Sequence, residues 1–120
     1  MQELWKLTAT QAVALLRRRE VSPLQLLDAT EARIAATNPQ INALVTPCFA
    51  RARAHARRIM ETDPAAAPPH FLHGLPIAVK DNTDVAGVRC TFGSRVHADR
   101  VADASDLVVQ RLEANGALVV

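Results

Sequence analysis

The side chain best suited to chemistry in this sequence is that of Lys80, which follows the apolar run Ile77-Ala78-Val79 and precedes Asp81-Asn82. The composition of the run predicts a short buried strand, and ligands commonly bind at the carboxyl ends of strands in α/β folds. A lysine withdrawn from water gives up its proton more readily, which suits it to act as a general base. The structural alternative is a lysine that extends from the strand end into water and pairs with Asp81 or Asp84. These residues alone favour that alternative.

The serines and histidines of the sequence predict structural roles. Ser22 has the position of a helix N-cap, and Ser105 lies near the start of the last predicted helix. His70 and His73 stand three residues apart in a proline-containing loop, and without a third ligand they make a poor zinc site. His55 and His97 are expected on the surface. The sequence therefore predicts no metal site.

The two cysteines are also expected to be structural, and no cofactor site is visible. Cys48 and Cys90 are far apart and form no C-x-x-C pair, which is typical of buried thiols in a reducing compartment. The sequence contains no glycine-rich phosphate loop and no dinucleotide fingerprint. We therefore expect the protein to use no cofactor.

The first half of the chain predicts helices. Residues 8–11 and 22–25 each have the form of a capping box, with Pro23 at the first helical position of the second helix. The first helix is expected to fade near Glu20, and the second to stop before Asn38-Pro39. Residues 41–46 then predict a strand, residues 49–60 a helix with its arginines on the solvent side, and residues 63–69 a loop.

The second half predicts a strand–helix–strand unit. After the strand before Lys80, residues 81–94 are expected to be rich in turns. Asp103 is the predicted cap of a helix that stops at Asn115-Gly116 and whose apolar positions are Leu107, Val108 and Leu112. Residues 117–120 begin another buried strand. This order of elements indicates an α/β fold.

Residues 74–82 resemble the lysine motif of the amidase signature family, in which Gly, an aliphatic residue, Pro and an apolar run are followed by Lys, Asp and Asn. The similarity extends through residues 84–87 and 91–94 to residues 106–112 and 115–117. Residues 19–22 and 38–43 resemble the opening of the family, and the similarity is weakest in the loop of residues 63–70. Because these motifs occur in the order of the family, the resemblance is specific.

The resemblance implies a chemical role for Lys80. The family uses a Ser-cis-Ser-Lys triad, and Lys80 matches its lysine. That lysine works with a bridging serine to take the proton from the nucleophilic serine, which attacks the amide carbonyl and forms an acyl-enzyme that water then hydrolyses. The fold implied has N-terminal helices followed by strand–helix–strand elements of a mixed sheet that is covered by helices.

The catalytic serines of the family have no match in residues 1–120. The only serines are Ser22, Ser94 and Ser105, and none fits the Gly/Ser-rich signature that carries the triad serines. Ser94 belongs to the Thr-x-Gly-Ser part of the resemblance and is expected to be structural. We therefore expect residues 1–120 to be the N-terminal part of a single amidase domain and to be inactive alone.

Two other functions stay open. The amidase-like subunit of the glutamine-dependent tRNA amidotransferase looks similar over this stretch and would imply partner subunits and ammonia delivery. Residues 1–62 carry nine Lys/Arg against five Asp/Glu, so a non-catalytic basic helical module is the third possibility. With no tyrosine and aromatic residues at 3%, the chain lacks material for a base-stacking platform, and no nucleic acid is expected outside the amidotransferase case.

The expected setting of the protein is the cytoplasm. No signal peptide is visible, and no apolar run approaches the roughly 18 residues that a membrane span needs. A small-molecule amide is the expected substrate. A homo-oligomer is possible, and the sequence does not specify which amide is bound.

Overall fold

Four helices and a small parallel sheet make up residues 3–120, the part of the chain that the computed structural model describes. The helices are α1 (Ala9–Arg17), α2 (Pro23–Ile41), α3 (Phe49–Met60) and α4 (Leu107–Ala114), and the strands are β1 (Leu75–Ile77) and β2 (Ala117–Val119). Short 3-10 turns lie at Leu4–Lys6, Pro64–Ala66 and Arg95–His97. The predicted α/β class is confirmed, and the sheet in residues 3–120 is one parallel pair of strands. Within residues 3–120, no helix combines the length and apolar character that crossing a membrane requires.

The capping boxes predicted at the starts of α1 and α2 are both present. The Gln11 amide N–H donates to Thr8 Oγ1 at 3.2 Å, while the Gln11 side chain accepts from the Thr8 N–H at 2.9 Å. Ser22 and Gln25 exchange the same two bonds at 3.1 and 2.8 Å. These bonds satisfy backbone donors that have no partner inside the helix, so local sequence alone fixes both starts.

The predicted end of α2 and the predicted strand after it are both wrong. The helix continues through Pro39 to Ile41, and residues 42–48 form a loop. The Asn38 side chain explains both differences, because it accepts from the Leu44 N–H at 2.9 Å and donates to the Leu44 carbonyl at 2.8 Å. Both backbone groups of Leu44 are therefore used locally and are not available for a strand ladder.

Helix α3 has the predicted bounds and packs against α2. Ala52 and Ala56 lie on its inner face and are fully buried. They pack in one apolar cluster with Leu27 of α2 and with Leu118 and Val120 at the second strand. The arginines are not uniformly solvated, which corrects the prediction. Arg53 bridges to Asp28 at 2.6 Å and to Glu31, and Arg51 makes a two-bond pair with Glu113 of α4. These pairs fasten α3 to both neighbouring helices.

The two strands lie parallel and pair Leu75 with Ala117 through Ile77 with Val119. Each strand follows a glycine in the left-handed region, and the Gly74 N–H donates to the Gly116 carbonyl at 2.7 Å. A Cβ on Gly116 would lie 2.6 Å from the Phe71 ring, so a side chain has no room there. The crossover through α4 forms the predicted strand–helix–strand unit.

Three details of this unit differ from the prediction. Strand β1 comprises Leu75–Ile77 rather than residues 77–79. The hydrogen-bond ladder starts at the bond between Gly74 and Gly116, and it ends where the Val120 N–H donates to the Ile77 carbonyl. The cap of α4 is Asp106 rather than Asp103. Val109 is 1% exposed and faces the core, whereas Leu107 and Val108 are 62% and 56% exposed. The buried face of α4 is set by its contact with β2 and Val85.

Candidate active site

Lys80 lies three residues beyond the end of β1, in a tight turn. The Lys80 carbonyl accepts from the Asn82 N–H at 2.8 Å and from the Thr83 N–H at 3.0 Å. This turn ends the extended run of the chain immediately after the lysine. The side chain is therefore presented near the carboxyl end of the strand, as the sequence predicts.

A cleft of about 670 Å³ lies at this end of the sheet, and Lys80 is part of its wall. The cleft is enclosed by residues 43–48, by residues 78–93 and by the end of β2. Most of the side chains in it are apolar, with Lys80, Asp81, Asn82 and Arg89 as the charged or amide-bearing exceptions. The arrangement places one amine in an otherwise mainly apolar hollow.

Lys80 is exposed, in agreement with the alternative in which it extends into water. It lies three residues beyond the last paired residue of β1 and forms part of the wall of the open cleft. It makes no side-chain hydrogen bond or ion pair with any residue from 3 to 120. The alternative pairing with Asp81 or Asp84 is not found either, because other groups bind both carboxylates.

Asp81 ties the lysine turn to a second loop through Thr91. One carboxylate oxygen accepts from the Thr91 N–H at 2.8 Å, and the other accepts from the Thr91 hydroxyl. These two bonds, the hydroxyl bond first, hold the pKa of Asp81 below its usual range. Thr91 is only 8% exposed, and its hydroxyl oxygen also accepts from the Gly93 N–H at 3.1 Å. The residue next to Lys80 is thus fixed to residues 91–93, which form part of the same cleft.

Asp84 anchors the far side of the same loop. It pairs with Arg100 through two bonds of 2.6 Å, and this pair lowers the pKa of Asp84 and raises that of Arg100. The Asp84 N–H donates to the Asp106 carboxylate at 2.9 Å, and the Asp84 carbonyl accepts from the Asp106 N–H at the same distance. The Asp106 side chain therefore binds the loop instead of capping its own helix.

Further bonds make residues 84–102 a closed excursion. The Ser105 hydroxyl accepts from the Ala86 N–H at 2.8 Å, and Arg89 forms an antiparallel bridge with Val101. The guanidinium of Arg89 donates to the Ala98 carbonyl and approaches the Thr46 hydroxyl at 3.5 Å. The prediction of a turn-rich excursion is confirmed, and the excursion is held both by these side-chain bonds and by the packing of Val85 against Val109 and Val119.

None of the three serines lies in the wall of the Lys80 cleft described here. Ser22 caps α2, and Ser94 accepts from the Val96 N–H to cap a 3-10 turn, as predicted. Ser105 supports the loop through Ala86. The structure thus brings no hydroxyl nucleophile of these serines to Lys80.

Two of the histidines are withdrawn from solvent. His73 lies in the predicted loop and is 6% exposed, and burial lowers its pKa, with the charge of Arg17 contributing. His55 was expected on the surface but is partly buried beside Glu113, 4.0 Å away, and burial lowers its pKa as well. His97 is exposed as predicted. Among residues 3–120, no three side chains of His, Cys, Asp or Glu are arranged to hold a metal ion.

Both cysteines are free thiols, as the sequence predicts. Cys48 lies in the wall of the cleft, and its Sγ donates to the Val119 carbonyl at 3.4 Å. Burial raises the pKa of both thiols, which keeps them protonated and unreactive. Cys48 is therefore a packing residue in this site.

Sequence reasoning missed the contribution of Asp81 and Thr91 to the site. The available signal was an acidic residue immediately after Lys80, together with a Thr-x-Gly segment ten residues later. Nothing in that spacing shows that the two groups touch, because the intervening loop sets their distance. Their contact is a tertiary feature.

Comparison with known proteins identifies a family match over most of the chain. The family model described as Amidase matches residues 25–120. The chain is 34% identical over 117 residues to an acylamidase from Rhodococcus erythropolis, covering 98% of this chain and 24% of that protein. It is 36% identical over 119 residues to a glutamyl-tRNA(Gln) amidotransferase subunit from Roseiflexus castenholzii, covering 99% and 24%. The chain thus spans about a quarter of the length of the curated relatives it matches.

The solved structures show the same likeness in three dimensions. The structure of 6-aminohexanoate cyclic dimer hydrolase superposes with a TM-score of 0.81 at 31% sequence identity. The superposition covers 100% of this chain and 23% of that one. The arrangement of helices around the parallel strand pair is therefore shared with a hydrolase of known structure.

Proposed function

This chain belongs to the Amidase family, and on that premise we propose that it carries the catalytic lysine of a hydrolase that cleaves the carbon–nitrogen bond of a carboxamide. The observation that carries the proposal is the placement of Lys80. Its side chain lies in a mainly apolar cleft at the carboxyl end of β1, and the next residue, Asp81, is fastened to Thr91. An amine held there has room for a substrate beside it.

The proposed chemistry assigns Lys80 the role of a base. In its unprotonated form the amine takes a proton from a bridging serine, which in turn takes the proton of a nucleophilic serine. The nucleophile adds to the amide carbonyl, the carbon–nitrogen bond breaks, and the proton passes to the departing amine. Water then hydrolyses the acyl-enzyme and releases the acid.

Both serines of this mechanism are proposed to come from sequence other than residues 1–120. The support is that Ser22, Ser94 and Ser105 have structural partners away from the cleft and that relatives of the chain are about four times longer. On this proposal residues 1–120 are the N-terminal part of one amidase domain and have no amidase activity alone. The two free thiols fit a reducing compartment such as the cytoplasm.

The experiment that tests the proposal uses the product of the complete reading frame. We expect turnover of at least one member of a panel of small aliphatic and aromatic amides, with loss of turnover in Lys80→Ala. Lys6→Ala is the matched control, since Lys6 is the only other lysine in the sequence and lies in an N-terminal 3-10 turn. Turnover of an amide that Lys80→Ala leaves intact would contradict the assignment.

A second candidate function is that of the amidase-like subunit of a tRNA amidotransferase. It is favoured by the 36% identity to the glutamyl-tRNA(Gln) amidotransferase relative, which is as high as the identity to the acylamidase. On this proposal the protein releases ammonia from glutamine and requires partner subunits. Glutamine hydrolysis that depends on added partners, without turnover of simple amides, would select this function.

A further inference from the structure

A second hollow, separate from the Lys80 cleft, lies between the end of α1, the start of α2 and the end of α3. Its volume is about 140 Å³, and it shares no wall residue with the cleft. Apolar side chains form much of its wall (Leu16, Val21, Ile59, Met60). A cavity of about 150 Å³ with such a lining is large enough to hold benzene. The pocket can therefore accept a compact apolar group.

His73 is part of the wall of this pocket, and its imidazole has no hydrogen-bond partner in the described chain. It is 6% exposed, and its imidazole makes no hydrogen bond to any residue from 3 to 120. Its only specific ring contact is an edge-on one with Phe71, at 5.0 Å between centroids. No fully buried side-chain nitrogen in the described residues lacks a partner, so the ring nitrogens of His73 keep some accessible surface. His73 lines this pocket and also a neighbouring hollow that contains Phe71 and Arg17. A buried imidazole of this kind can form a hydrogen bond with a ligand atom.

Arg19 lies at the same pocket in an unusual backbone conformation. Its φ is +57°. The Arg19 N–H donates to the Leu16 carbonyl, and the Glu20 N–H donates to the Leu15 carbonyl. This pair of bonds is a common helix C-terminal motif and ends α1. Glycine is the residue that this position favours, because a Cβ is strained there. The Arg19 guanidinium donates to the Thr62 carbonyl at 2.9 Å, which uses one of its five donors. Strain at a non-glycine residue often accompanies a functional position.

The charge of the pocket favours an anion. Arg19 and His73 are in its wall, and none of its wall residues is acidic. A carboxylate is the anion that accepts from both a guanidinium and an imidazole N–H while leaving the rest of a small molecule apolar.

We propose that this pocket binds a small carboxylic acid with a compact aromatic or branched aliphatic body. The body fills the apolar part of the pocket, and the carboxylate accepts hydrogen bonds from Arg19 and His73. This site is independent of Lys80 and of the reaction proposed for it.

The test is a titration of the protein with benzoate, followed by NMR of the methyl groups. Saturable shifts are expected at Leu16, Val21 and Ile59, and Lys80→Ala is expected to leave them unchanged. Benzamide has the same shape without the charge and cannot form a charge-assisted bond. Its dissociation constant is expected to be at least about tenfold higher than that of benzoate.

Arg19→Gly is the decisive variant, because glycine suits the backbone at that position and the fold is retained. Its dissociation constant for benzoate should rise about tenfold or more. Arg18→Ala is the matched control: it removes the same charge one residue away, from a side chain that pairs with Glu20 and lies outside the pocket. It should change the constant by less than about twofold.

A second variant tests the imidazole. His73→Asn keeps a residue that tolerates the left-handed φ of +53° and should also weaken benzoate binding. The proposal is overturned if the pocket methyl groups show no saturable shift, if benzamide binds as tightly as benzoate, or if Arg18→Ala weakens binding as much as Arg19→Gly.

Discussion

Replacing Thr91 by valine tests whether the Asp81–Thr91 contact holds the loop beside Lys80. Thr91→Val keeps the shape of the side chain and the backbone N–H bond to Asp81, and it removes the hydroxyl bond to Asp81. It also removes the bond from the Gly93 N–H to the Thr91 hydroxyl, but Gly93 is exposed and its N–H can bind water instead. A hydrogen bond to a charged group contributes about 1.5–3 kcal/mol, and the added methyl group at this buried position offsets up to about 0.8 kcal/mol. Because the Asp81 carboxylate is partly solvated, we expect a net loss of about 1–2 kcal/mol in the free energy of unfolding.

The pH dependence of this loss identifies Asp81 as the partner. The Thr91 bonds lower the pKa of Asp81 in the folded protein. Their stabilisation is therefore fully present above the unfolded pKa of about 3.9 and is lost as the pH falls through the folded value. The difference in stability between the natural protein and Thr91→Val should be largest near neutral pH and should narrow below about pH 4.

Urea unfolding at neutral and acidic pH measures this difference, and amide exchange at Thr91 and Gly93 reports the loop directly. Thr83→Val is the control in the same loop, since the Thr83 hydroxyl donates to the neighbouring Asn82 side chain at 3.2 Å and does not contact Asp81. It should change stability by less than about 0.5 kcal/mol. The reasoning is refuted if Thr91→Val loses no more than Thr83→Val, or if its loss is the same at both pH values.

Three further changes test packing, electrostatics and backbone strain elsewhere in the molecule. Gly116→Ala should destabilise the protein by more than about 2 kcal/mol in thermal unfolding, because a Cβ there would collide with the Phe71 ring. Gly87→Ala is the control and should cost less, since Gly87 also has a positive φ but has open space for a Cβ. Glu113→Gln should lower the pKa of His55 further in an NMR titration, because the Glu113 charge opposes the effect of burial; an unchanged pKa would contradict this contact. Arg19→Gly should change stability by less than about 1 kcal/mol in urea unfolding, because relief of the left-handed backbone offsets the lost bond to the Thr62 carbonyl; a loss clearly larger than this would contradict the offset.

Local signals in the sequence predicted the starts of α1 and α2 correctly but not the end of α2. Thr8 and Ser22 fix the first residues of α1 and α2 because each capping box involves only residues three apart. Pro39 was expected to end α2, but the side chain of Asn38 stabilises the last turn by binding Leu44. That bond joins residues six apart across a bend, and no local pattern encodes it.

Tertiary contacts decided the features that the sequence did not predict. Val109, rather than Leu107 or Val108, faces the core because α4 is oriented by its packing on β2. The motif predicted Lys80 at the end of a buried strand, but β1 is half-buried and ends three residues before Lys80, which lies exposed in the wall of the cleft. The bonds from Asp81 to Thr91 depend on the path of the whole intervening loop.

The central claim, that Lys80 acts as a base in amide hydrolysis, is tested most directly by the turnover of Lys80→Arg in the product of the complete reading frame. A guanidinium stays protonated at any working pH and cannot accept the proton, although it keeps the positive charge. We expect kcat/KM to fall by about 10²- to 10⁴-fold, the range that general-base catalysis contributes, while Lys6→Arg leaves it unchanged. Turnover by Lys80→Arg close to that of the natural enzyme would contradict the claim.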